Sequence, residues 1–206
     1  MKSVEGIEWL GHASFRIRLA EKVIYIDPWK IAGGPPADWI LITHSHFDHF
    51  SVDDVKKVAK ADTLILATPD CQGLPGKVRF VKPGDIISEG EITVRAVPAY
   101  NLDKDFHPRK NQWVGYIISG GGKTIYHAGD SDATPEMKAL SAIDIALLPV
   151  SGVYVMTAEQ AAEAANSFLP STVIPHHWGD IVGSEENART FASLFKGKTI
   201  LLKKTT

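Results

Sequence analysis

Trp39-Ile40-Leu41-Ile42-Thr43-His44-Ser45-His46-Phe47-Asp48-His49 is an apolar run that breaks into imidazoles and a carboxylate, and its reading decides the rest of the chain. Three of the eight histidines fall within six residues, which argues against a solvated loop with histidines by chance. In extended backbone His44 and His46 point to the same side and can share one cation. Asp48 and His49 lie past the bend and can face a second. Imidazole and carboxylate together suit zinc, manganese or iron rather than calcium. Such a loop is half a site, so further ligands have to come from elsewhere.

Two later strand ends show the same pattern of an apolar run that stops at a polar residue. In Thr124-Ile125-Tyr126-His127-Ala128-Gly129-Asp130, Gly129 permits close backbone approach and Asp130 can bridge two cations. In Val173-Ile174-Pro175-His176-His177-Trp178 two imidazoles are adjacent. Taken alone, Asp130 reads equally well as a turn or helix-capping aspartate, and His176-His177 as a partly buried pair.

The surrounding chain is ordinary for a globular protein of 206 residues, and one domain spanning 1–206 is expected. A net charge of −2 supplies no pull towards polyanions and argues against a dedicated nucleic-acid binder. The single cysteine, Cys71, allows no intramolecular disulfide and shows no activating neighbours. Neither a leader segment nor a membrane span is legible, so a cytoplasmic protein without a membrane partner is expected.

Short, often β-branched runs predict strands at 7–10, 14–19, 23–26, 39–43, 63–67, 92–97, 114–119, 124–127, 143–149, 172–174 and 199–202. Helices are expected over 52–60 and 185–195 behind Ser51 and Ser184, from Thr134 with Pro135 in its first turn, and from Thr157 to Leu169 with Gln160 completing a capping box. Gly120-Gly121-Gly122 reads as a hairpin turn, since it lacks the Lys-Ser/Thr of a phosphate loop. Strands stacked in two sheets with helices outside follow from this mixture.

His44-x-His46-x-Asp48-His49, with Gly129-Asp130 and a late Pro175-x-His177, resembles the metallo-β-lactamase-fold hydrolases. Gly11-His12-Ala13-Ser14-Phe15, Ile26-Asp27-Pro28, Tyr126-His127-Ala128-Gly129-Asp130 and Ala146-Leu147-Leu148-Pro149-Val150 are similar to the UlaG-like branch, which includes L-ascorbate-6-phosphate lactonase. The resemblance implies an α+β, four-layer αββα sandwich with a dinuclear site along one edge of the sheets. It assigns His44 and His46 to a first divalent ion and Asp48, His49 and His177 to a second, with Asp130 between them.

One ligand departs from the pattern: the histidine usual after the strand Val94-Arg95-Ala96-Val97-Pro98-Ala99-Tyr100 is Asn101 here. An amide oxygen is the weaker ligand, so a looser first site is expected, with Asn101 among its ligands. His107 is the available completion, as ligand, proton donor or anion contact, or is a loop residue without a role. Its loop carries Lys104, Arg109 and Lys110 and is expected to form a basic, substrate-facing lip. Tyr100 and Trp178 are the candidate pocket walls. Asp27 is expected to orient the histidine loop. His127 and His12 either support the site or are satisfied core histidines.

The implied chemistry is hydrolysis by water activated on two divalent ions, zinc first, with manganese and iron as alternatives. Asp48 then orients the water and takes its proton. An ester-like bond (lactone, thioester or phosphoester) in a small anionic metabolite is the expected substrate. A phosphodiesterase acting on nucleic acid or phospholipid is the enzymatic alternative, and a catalytically silent metal- or partner-binding module is the non-enzymatic one. Strand-rich edges leave room for a homo-oligomer.

Overall fold

A computed structural model describes residues 5–205. Its first half forms a sheet from β1 (Ile7–Gly11), β2 (Ser14–Leu19), β3 (Lys22–Ile26), β4 (Trp39–Leu41), β5 (Leu64–Ala67) and β6 (Lys77–Phe80), in that spatial order, with α1 (Val52–Val58) between β4 and β5. The second half adds β7 (Ile86–Glu89), β8 (Ile92–Pro98), β9 (Val114–Gly120), β10 (Lys123–His127), α2 (Pro135–Lys138), β11 (Ile145–Pro149), α3 (Ala158–Phe168), β12 (Thr172–His176), α4 (Glu185–Leu194) and β13 (Lys198–Thr199). Its sheet runs β13-β12-β11-β10-β9-β8-β7. Each half pairs antiparallel through its hairpins and then turns parallel, from the β3–β4 pair in the first sheet and from the β10–β11 pair in the second.

The layers follow from side-chain alternation. In β4 Trp39 and Leu41 enter the inter-sheet core, where Ile17, Ile26, Tyr116, Leu147 and Ile174 meet them, while Ile40 points out against Val55 and Val58 of α1. In β11 Ile145 and Leu147 face inward, and Ala146 and Leu148 lie under the alanine-rich face of α3 and Phe191 of α4. Both faces of each sheet are therefore covered, which is why these strands read as continuous apolar runs. The result is the expected αββα order, α1 outside one sheet and α2 to α4 outside the other. The Tyr116 hydroxyl donates to the Ile42 carbonyl at 2.8 Å, joining the sheets beside the histidine loop.

The caps hold as the sequence suggests. Ser51, Thr134, Thr157 and Ser184 each accept a first-turn N–H, with full capping boxes at the last two. Gly121 and Gly122, at φ +51° and +74°, turn β9 into β10. Two strands lack a sequence signal. β6 and β7 are edge strands with mostly exposed side chains, so neither carries the apolar signature that marks the interior ones. The last strand closes at Thr199, short of the expected Leu202. No helix among the described residues is long and apolar enough to cross a membrane.

Candidate metal centre

The loop after β4 is pinned from below by one carboxylate. Asp27, fully buried at the end of β3, accepts from the Thr43 N–H at 2.8 Å, the Thr43 hydroxyl at 2.7 Å and the His49 Nδ1–H at 2.7 Å. The Thr43 hydroxyl, its proton given to Asp27, accepts from His44 Nδ1–H at 2.9 Å. Both rings therefore carry their proton on Nδ1 and turn Nε2 inward as a lone-pair donor. This is the orienting role expected of Asp27.

Asp130 arrives from the other sheet. Gly129 holds φ +60°, and a Cβ there would sit 2.8 Å from the Val114 carbonyl oxygen, so only glycine allows the turn that presents Asp130. His127 supports the same turn: its Nε2–H donates to the Ala13 carbonyl at 3.1 Å and its Nδ1 accepts the Gly129 N–H at 3.0 Å. Burial lowers the His127 pKa to about 4, so this ring stays neutral and works on backbone alone.

Three imidazoles close on the Asp130 carboxylate. His49 Nε2 lies 3.3 Å from Oδ1, while His107 Nε2 and His177 Nε2 lie 3.2 and 3.0 Å from Oδ2. The donor atoms fall into overlapping groups, His44 with His46 and His107 on one side, and Asp48 with His49, His177 and His12 on the other; His44, His49 and Asp130 form a third group between them. Within each group the ligand atoms lie within 4.8 Å of one another. His177, in left-handed backbone at φ +63°, has its Nδ1 against the Ser151 hydroxyl at 3.1 Å.

The donor set fits divalent metal ions. Nε2 of His44, His49 and His107 and Oδ1 of Asp130 are buried without a hydrogen-bond partner, although each ring's outer nitrogen is satisfied. Buried polar atoms are rarely left so, and four aimed at one small volume call for a shared cation. Burial holds His44 well below its usual pKa and lowers His46 as well, with neighbouring imidazoles adding to the effect. Ligation requires that neutral form. For His49 burial opposes the charge, but Asp130 and Asp27 outweigh it and raise the pKa. A positive charge is wanted between those carboxylates, whether proton or metal ion.

Several expectations need correction. Asn101 is not placed as a ligand: its Oδ1 accepts both the backbone N–H and the Nδ1–H of His107 at 3.0 Å, and its Nδ2 donates to the Tyr154 carbonyl. His107 stands in the third position beside His44 and His46, so the expectation of a site loosened by the asparagine loses its basis. The expected basic lip does not form at the metal cavity, which none of Lys104, Arg109 and Lys110 lines. Lys104 is bound to Asp103 and Asp132, and Arg109 is bound to Glu136 and lies over the Tyr100 ring. The Tyr100 hydroxyl donates to Glu136, so this ring is no wall of the metal cavity. Trp178 packs against Trp9 and lines a separate cavity of about 510 Å³. His176, next to the ligand-like His177, faces away between Phe15 and His127.

The sequence left His12 undecided. It is fully buried, and its Nε2 lies 3.0 Å from Asp48 Oδ2 while its ring centre lies 4.0 Å from that of His177, the two planes tilted by 45°. Its carbonyl accepts the His177 N–H, so one residue of the β1–β2 turn braces both chain segments. Burial pushes the Cys71 thiol up to about 12, which leaves it unreactive.

A family model described as a beta-lactamase superfamily domain matches residues 6–177. The chain belongs to the beta-lactamase superfamily. Among its relatives, a UPF0173 metal-dependent hydrolase of Dinoroseobacter shibae is 34% identical over 84% of this chain and 85% of its own. One of Pyrococcus abyssi is 32% identical over 96% of both. A crystal structure of a candidate metal-dependent hydrolase from Parabacteroides distasonis superposes with a TM-score of 0.83 at 38% identity, covering 96% of this chain and 93% of that one. Igni18, a metallo hydrolase from Ignicoccus hospitalis, has the same fold with a TM-score of 0.78 at 23% identity, covering 97% and 95%. This beta-lactamase superfamily member is a metal-dependent hydrolase.

Proposed function

We propose that the centre holds two divalent ions, zinc first among them, and hydrolyses an ester-like bond, a lactone, thioester or phosphoester, in a small molecule. The observation that carries this reading is the convergence of His49, His107 and His177 on Asp130, with unpartnered donors turned to both of its sides. On this reading His44, His46 and His107 would hold one ion and Asp48, His49 and His177 the other, with Asp130 available to both. The chemistry that ions held there would supply is polarisation of a carbonyl or phosphoryl oxygen and a lowering of the pKa of water from 15.7 towards about 7.

The protein's own part is positioning. Asp48 lines the open cavity, and His12 fixes its Oδ2, leaving the carboxylate to orient the attacking water and receive its proton. Its pKa is lowered: burial opposes ionisation, but the His12 hydrogen bond and the His49 charge outweigh it, so the base is ionised at neutral pH. The near-neutral net charge supports a small-molecule substrate over nucleic acid.

Elemental analysis combined with a panel of chromogenic esters, lactones, thioesters and phosphodiesters tests the proposal. Two ions per chain and turnover abolished in Asp48→Ala are expected. Less than one ion and no turnover with added zinc, manganese or iron would instead mark a silent module.

A further inference from the structure

The mouth of the metal centre is apolar. Above the donors lies a cavity of about 260 Å³, floored by His46, Asp48, His107 and Asp130 and walled by Phe47, Phe106, Tyr154 and Ile181. Phe47 is 70% exposed, Phe106 49% and Ile181 39%. Single exposed apolar residues are ordinary on a protein surface, but three from separate stretches of chain around one reactive floor form a patch with a purpose. The rings are held in place. Phe106 packs edge-on against Tyr154 at 4.7 Å between centroids, and Phe47 meets Trp29 at 6.1 Å.

The cavity has no basic partner to offer. No lysine or arginine lines it: of the nearby loop's basic residues Lys104 and Arg109 are paired with acids, and Lys110, though exposed, is not part of the lining. An anionic substituent seated against the ring walls, away from the ions that the floor would hold, would lose its water there without a lysine or arginine to replace it. An aryl or alkyl group would gain burial against the same rings.

We infer that the site selects an uncharged substrate carrying an aryl or medium-length alkyl group beside the scissile bond, seated against Phe47 and Phe106, rather than an anionic metabolite. This inference rests on the hydrolytic reading above and narrows its substrate class. Residues Phe47, Phe106, Tyr154 and Ile181 then set specificity while the metal donors set reactivity.

Three metal-directed probes test it by binding alone: benzohydroxamate, acetohydroxamate and the half-hydroxamate of succinic acid, each titrated calorimetrically into the zinc-loaded protein. Benzohydroxamate is expected to bind about tenfold tighter than acetohydroxamate, which is what moving a phenyl group from water into partial contact is worth. The succinate probe is expected to bind no better than acetohydroxamate. In the double variant Phe47→Ser, Phe106→Ser the benzo-to-aceto ratio falls towards one, and in Phe106→Lys the succinate probe gains. Both phenylalanines are surface residues, so these variants retain the fold, and circular dichroism checks that. Equal affinities for the three probes, or a preference for the succinate probe, would overturn the inference. Because the probes are not turned over, the two readings fail separately: turnover with no aryl preference leaves hydrolysis standing, and an aryl preference with no turnover of any panel bond leaves only the cavity's selectivity.

Discussion

Asn101 grips His107 twice through a single atom: its Oδ1 accepts the ring Nδ1–H and the backbone N–H of the same residue, each at 3.0 Å. The asparagine thus acts one step back from the place a histidine was expected, fixing the tautomer that turns His107 Nε2 towards Asp130.

That relationship predicts the behaviour of Asn101→Ala. The His107 ring loses its orientation, and affinity for the ion beside His44 and His46 should fall 10–100-fold, roughly the cost of removing a partner that orients a ligand. Asn101→Asp, which keeps the acceptor, should retain most of it. Competition titration with a chromophoric chelator reads both, and an Asn101→Ala protein with native affinity would contradict the role.

Asp27→Ala leaves the Thr43 N–H, the Thr43 hydroxyl and His49 Nδ1 without their shared acceptor in a fully buried place. Removing one side of such a buried arrangement costs about 3–5 kcal/mol. The expected result is a lower urea midpoint at unchanged slope even in chelator-treated protein, which separates the effect from metal loss.

Gly129→Ala forces a side chain into left-handed backbone and drives its Cβ to 2.8 Å from the Val114 carbonyl oxygen. Backbone has to move, and Asp130 moves with it. A loss of roughly 1–3 kcal/mol in stability is expected from the strain, accompanied by fewer ions per chain in elemental analysis.

Stability should fall in mild acid through His127. Its folded pKa of about 4 lies below the ordinary 6.5, so the unfolded chain takes up a proton that the native ring refuses. The sign follows: this contribution is complete above pH 6.5 and is lost as pH falls from 6.5 to 4. At pH 5 the loss from this ring is about 2 kcal/mol. Chemical denaturation at pH 7.5 and 5.0 should show a steeper decline for the wild type than for His127→Gln, because the other histidines titrate equally in both.

Most of the interior was legible because it is locally encoded. The runs at 39–43 and 143–149 announce buried strands, and Thr157 with Gln160 announces a helix start, from residues adjacent in the chain. The edges were not. Lys77–Phe80 and Ile86–Glu89 pair on one side only and bury little, so nothing in their composition separates them from loop.

The sequence by itself determined the chemistry of the centre, because ligand type is a property of the residue. Placing histidine and aspartate at the ends of apolar strands puts them along one rim of a layered fold. Only the tertiary structure decided how each side chain is employed, since that depends on partners distant in the chain. Lys104 is claimed by Asp132, 28 residues on, the Tyr100 hydroxyl by Glu136, 36 residues on, and Asp48 by His12, 36 residues back. A charge, a ring or an amide has the same identity wherever it stands. Its function is set by which group reaches it first once water is excluded, and for the loop around His107 that turned an expected basic lip into an apolar mouth.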